Sequence, residues 1–131
     1  MIVDLNGIPI EFFFTPGSMS DTRVLDCFHL NLKKDSIIYG DKAYNNYQFE
    51  DLLFEISGIK LVTQRKKNSN RPHKIADEFR LSSVRQRVET TFSSIISLMP
   101  RCIKSTTPRG FFLKIFFFII GYMSTRIFAK I

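Results

Sequence analysis

Apolar positions along this chain switch between the two-residue period of a strand and the three-to-four-residue period of a helix. Residues 1–5 and 8–14 are apolar runs on either side of Asn6-Gly7, the strongest short-range hairpin signal, so a hairpin over residues 1–14 is expected. In its second strand Ile8, Ile10, Phe12 and Phe14 share one face. Pro9 and Glu11 take the other, which predicts a partly exposed surface there. Thr15-Pro16-Gly17 ends the strand, and Ser20 or Asp21 caps a helix over 22–32 with Val24, Leu25, Phe28 and Leu32 in one stripe.

The stretch 36–44, Ser-Ile-Ile-Tyr-Gly-Asp-Lys-Ala-Tyr, is a short β-branched and aromatic run that stops at Gly40. A buried strand ends this way at a sharp turn, and Asp41 then stands just past the strand end. In open α/β sheets polar groups that bind or react collect there, although an Asp in that place also serves as a helix cap. A helix follows over 48–56 with Phe49, Leu52, Leu53 and Ile56 on one side, closed by Gly58. Residues 59–63 form the next strand. Strand, helix, strand in that order asks for a parallel pair.

Residues 64–74 are a polar loop, read as mobile, that carries Arg65, Lys66, Lys67, Arg71 and Lys74. Ser83-Val84-Arg85-Gln86 has the pattern of a capping box and opens a helix over 83–99, with Val84, Val88, Phe92, Ile95, Ile96 and Met99 as its apolar stripe. Thr107-Pro108 starts a last helix over 108–129. Its apolar stretch, 111–123, contains Lys114 and falls short of the roughly 20 residues that cross a bilayer, so a helix buried against the sheet is expected and no membrane partner.

The 131 residues bury one core at most, and 44% hydrophobic content excludes a disordered chain. The net charge of +7 hides an asymmetry: residues 1–58 carry −5 and residues 59–131 carry +12. A basic half favours a polyanion such as DNA or RNA, because clustered Lys and Arg release condensed counterions. Cys27 and Cys102 are too few for a disulfide framework or a Cys-based metal site. With no leader-like start, a cytoplasmic location is expected.

Glu89 gives Asp41 a second meaning. It lies one residue from the apolar stripe of its helix, and Arg85 precedes it by one turn. That spacing is satisfied by a surface ion pair, or by an acidic metal ligand with a cation beside it.

Gly40-Asp41-Lys42-Ala43-Tyr44 and Arg85-Gln86-Arg87-Val88-Glu89-Thr90-Thr91-Phe92-Ser93 resemble the second and third acidic motifs of bacterial insertion-sequence transposases of the DDE type. The resemblance extends through Asn6-Gly7, Pro9, Thr15-Pro16-Gly17-Ser18 and Asp21. It implies an α/β, RNase H-like catalytic domain over 1–131, a mixed sheet flanked by helices, that cuts and joins DNA with two divalent ions, Mg²⁺ or Mn²⁺. Asp41 and Glu89 would be catalytic metal ligands. Lys42, Arg65, Lys66, Lys67, Arg71, Lys74, Arg85 and Arg87 would contact DNA, the insertion-sequence ends, with a homo-oligomer among the partners allowed. Ser82 and Ile96 stand where related enzymes often carry a Tyr and a Lys. The first acidic residue of such enzymes lies on a central strand before the hairpin. The resemblance therefore implies an N-terminally truncated or decayed copy, inactive alone, with Asp4 left as a turn former. A non-catalytic basic nucleic-acid-binding protein is the alternative, and a membrane-attached protein a third.

Overall fold

The chain reverses at Asn6-Gly7. In the computed structural model, which describes residues 1–129, Gly7 takes φ +76°, a left-handed conformation that only glycine adopts without strain. The Asp4 carboxylate accepts from the backbone N–H of Asn6 and of Ile8, both at 2.8 Å, which makes it the turn former expected. The strands it joins, β1 (Ile2–Val3) and β2 (Pro9–Glu11), pair antiparallel but are far shorter than the run 1–14. Their faces are also exchanged: Pro9 is buried, whereas Ile10 is 51% exposed. An irregularity in register between Ile2 and Val3 is the device that permits this, since a one-residue slip moves side chains to the opposite face.

Two compact units form, residues 1–12 with 86–131, and residues 13–85. In the first, Ile95, Ile119 and Tyr122 make the core, with Met1, Phe12, Met99, Ile115 and Met123 packed on it. The hairpin turn is tied into that core. Gly7's carbonyl accepts from the Thr91 hydroxyl at 3.0 Å and from the Tyr122 hydroxyl at 3.2 Å, both buried.

The unit 13–85 holds α1 (Asp21–Leu25), β3 (Ile37–Gly40), a 3-10 turn (Lys42–Tyr44), α2 (Tyr47–Ser57) and β4 (Lys60–Thr63). β3 and β4 are parallel, as expected, with Ile37 opposite Lys60 and Gly40 opposite Thr63, and α2 packs against β4. Asn46 caps α2 by accepting from Phe49 N–H, and Gly58 ends it in the left-handed conformation. α1 is five residues long, much shorter than 22–32. Ser20 is its cap residue without a capping side-chain bond, and the side chain of Asp21 lies outside the described residues. So short a helix has little hydrogen bonding of its own, and the chain leaves it to pack Phe28 edge-on against Phe13 at 4.5 Å.

Helix α3 (Ile75–Leu98) begins eight residues before the expected start. Residues 75–82 contain no Gly or Pro, and Asp77 and Glu78 in the first turn suit the helix dipole, so nothing stops the helix from extending upstream. Ser83 and Gln86 are therefore interior positions and not a capping box. Its buried line runs through Leu81, Thr91 and Ile95, while Phe92 and Ile96 are 44% and 62% exposed. Helix α4 (Pro108–Phe128) starts as expected, with Thr107 accepting from Gly110 N–H at 3.1 Å. The expectation that it is buried is corrected: Ile119 and Tyr122 alone are buried among its described residues, and 11% of its most apolar window is covered. At 21 residues it is long and apolar enough to cross a membrane by length and composition, because the helix continues past the 111–123 run at both ends.

Candidate active site

Asp41 follows directly on β3, where the two parallel strands reach their C-terminal ends. Gly40 is closely packed there: a Cβ would stand 3.3 Å from Thr63 Cγ2 and 3.5 Å from Tyr44 Cβ. The Asp41 carboxylate caps the 3-10 turn, its Oδ1 accepting from Lys42 N–H at 2.7 Å. The same oxygen lies 3.8 Å from Arg85 Nη1, with both side chains partly exposed. Capping and display are therefore both true of this residue. One oxygen is engaged locally, and the group as a whole remains accessible at a strand end.

Behind this turn lies a cluster that periodicity concealed. Glu50, on the first turn of α2, is buried. It accepts from Arg65 Nη1 at 2.8 Å and from the Thr63 hydroxyl at 3.0 Å, with Arg65 Nη2 on its other oxygen. Arg65 Nη1 also reaches Thr63 Oγ1 and Asn45 Oδ1. Its guanidinium lies 4.7 Å from the Tyr47 ring centroid, and Arg71 lies 4.8 Å from the same ring. The signal for Glu50 was an acidic residue four positions after the Asn46 cap, in line with Leu53 and Ser57. A stripe count through Phe49, Leu52, Leu53 and Ile56 passes it by, and Leu52 and Ile56 are in fact exposed.

Several side chains of the basic loop thus dock on its unit. Arg65 is turned inward, its side chain 6% exposed, because Glu50 would otherwise be a buried charge without a partner. Arg71 makes a bidentate pair with Asp51, 2.8 and 3.0 Å. Its hydrogen bond holds the Asp51 carboxyl below the usual carboxylate range and raises Arg71 in return. Tyr47 and Ser69 hydroxyls meet at 2.6 Å, and His73 Nε2 bonds the Thr63 carbonyl at 2.7 Å. Lys66, Lys67 and Lys74 are exposed, as is Lys42 at the 3-10 turn.

Glu89 and Arg87 are exposed on the part of α3 that belongs to the other unit, and the aliphatic stem of Arg87 runs beside Gly7. Among the described residues no group of three or more His, Cys, Asp and Glu side chains gathers in one place.

A family model described as a transposase DDE domain matches residues 1–123. The chain belongs to this transposase family. No curated protein and no solved structure matches it. Transposases of this family act on DNA and generally use divalent metal ions, and the mixed α/β arrangement with two small sheets and four helices suits such a domain.

Proposed function

We propose that Asp41 and Glu89 are the second and third acidic residues of an RNase H-like catalytic domain of the bacterial insertion-sequence kind, working in the cytoplasm on insertion-sequence ends. The observation that carries this is the approach of Arg85 Nη1 to Asp41 Oδ1 at 3.8 Å. It brings the Arg that opens Arg85-x-x-x-Glu89 to the acidic residue of Gly40-Asp41-Lys42, a contact within the unit 13–85. Both carboxylates are hard oxygen donors suited to Mg²⁺ or Mn²⁺, which when bound would offset charge at a phosphodiester under attack. Lys42, Lys66, Lys67, Lys74 and Arg87 supply exposed cations for phosphates, and Arg85 reaches the same ground.

Two carboxylates are fewer than a metal pair needs, so these 131 residues bind DNA but do not cut it on their own. The test is binding of duplex DNA at increasing salt, with a nicking assay in Mg²⁺ or Mn²⁺ beside it. Binding that weakens steeply with salt, without nicking, supports the proposal. Metal-dependent nicking that disappears in Glu89→Ala would show that the donor set is sufficient as it stands. DNA binding that Asp41→Ala and Glu89→Ala leave untouched at every metal concentration would favour the non-catalytic basic protein.

The length and exposure of α4 favour a second reading, attachment to a membrane. Against it, Ile119 and Tyr122 of the same helix are core residues of their unit, and Lys114 lies within the apolar run. Partition of the folded chain into detergent micelles would separate the two.

A further inference from the structure

We propose that the buried Glu50–Arg65 pair is a positioning device for Asp41, acting through Asn45 at the far end of the turn that Asp41 caps. The inference deepens the assignment of Asp41 as an acidic site residue and rests on it. The 3-10 turn is three residues long, with Asp41 at its start and Asn45 at its end. Such turns have poor internal hydrogen-bond geometry and need support from outside. At the start, that support is the Asp41 carboxylate on Lys42 N–H. At the end, it is Arg65, whose Nη1 donates to Asn45 Oδ1 at 2.5 Å.

Arg65 is itself fixed from three sides. Glu50 takes both of its terminal nitrogens, the Thr63 hydroxyl accepts from Nη1 at 3.0 Å, and the Tyr47 ring lies against its guanidinium. The N-terminal turn of α2 favours a carboxylate at Glu50, so the anchor is set by the helix itself. A second route runs along the strand pair: Gly40, the residue before Asp41, lies opposite Thr63, and its carbonyl accepts from Gln64 N–H at 3.1 Å. Buried ion pairs add little net stability over apolar packing of equal size, and a role in geometry accounts for this one better than a role in stability. Arg65, Glu50 and Asn45 are thus positioning residues, and Arg65 is withdrawn from phosphate contact by the same bonds.

Amide hydrogen exchange in the full 131-residue chain tests this at Lys42 and Tyr44, whose N–H groups bond to Asp41 within the turn. Asn45→Ala and Arg65→Lys are expected to speed exchange at both amides by about tenfold, the effect of one lost hydrogen bond, while β4 amides keep their protection. Asn45→Asp, which retains an acceptor for Arg65, is expected to restore it. Equal loosening of the turn and of β4, or no change at Lys42 and Tyr44 in Asn45→Ala, would overturn the proposal. Asn45 is partly exposed at a turn, so its variants test the turn with the Glu50–Arg65 pair left in place. Paramagnetic broadening by Mn²⁺ reports separately on the underlying assignment. If Mn²⁺ broadens nothing near Asp41 in the parent chain, the metal role of Asp41 fails, while the exchange result still decides the positioning role.

Discussion

Arg65 and Glu50 meet at the end of β4, Nη1 to Oε1 at 2.8 Å, with side chains 6% and 9% exposed. This one pair divides a loop whose cations look alike in sequence. Arg65 organises the interior, Arg71 clips the loop to Asp51, and Lys66, Lys67 and Lys74 face solvent.

Removing either partner of the buried pair should therefore cost far more than removing a surface ion pair. Arg65→Ala or Glu50→Ala is expected to destabilise the unit 13–85 by about 3–5 kcal/mol, read from urea unfolding. Replacing both together, Glu50→Leu with Arg65→Met, should recover most of that loss. Single variants that cost no more than about 1 kcal/mol would mean that water reaches the pair and solvates it.

The division of the loop also sets its response to salt. Lys66→Ala with Lys67→Ala should reduce the slope of log affinity for DNA against log salt by roughly two, one for each phosphate no longer neutralised. Arg65→Lys should leave the slope as it was. An unchanged slope in the double lysine variant would make those side chains solvated surface and nothing more.

Much of this was legible from local signals. Asn6-Gly7, Gly58 and Thr107-Pro108 each act through backbone conformation within a few residues, so the turn, the α2 end and the α4 start were readable. Gly40-Asp41 marked the strand end for the same reason. What failed depended on partners distant in sequence. Glu50 is buried because Arg65, fifteen positions on, neutralises it. Thr91 is buried, rather than Phe92, because the Gly7 carbonyl needs its hydroxyl. In α3 a local capping pattern at Ser83 lost to good helix formers upstream of it. In α4 the residues are apolar all round, so no period told the packed face from the exposed one.

Acid should loosen the loop before it unfolds the unit. Asp51 has its folded pKa depressed, first by the hydrogen bond from Arg71, so the stabilisation from this pair is fully present above the ordinary carboxylate range. It is lost as pH falls through the depressed value. Both side chains are exposed, so the effect on global stability is small. Exchange at the Arg71 amide, followed from neutral pH downward, should rise in that window. In Asp51→Asn the rise should vanish, and a rise that persists there would assign it to another group.

Gly7 is held by both conformation and space. At φ +76° a side chain costs about 1–2 kcal/mol, and a Cβ would stand 2.7 Å from the Thr91 hydroxyl. Gly7→Ala is expected to lower the thermal midpoint of the unit that contains the hairpin by more than the backbone penalty alone. If Gly7→Ala and Gly17→Ala, the latter in open space, behave alike, the docking of the turn contributes nothing.

The central proposal, which rests on the resemblance of the two motifs, is that Asp41 and Glu89 serve one metal site. Carboxylates that share ions spaced by roughly 4 Å must both lie within a few ångströms of them. The most direct measurement is a Mn²⁺ titration of the isotope-labelled chain, following amides near Asp41 and near Glu89 in the same spectra. Both sets should broaden together at the same Mn²⁺ concentration, and Asp41→Ala or Glu89→Ala alone should abolish the broadening at both. Broadening at one carboxylate that survives loss of the other, or two independent titrations, would contradict the shared site.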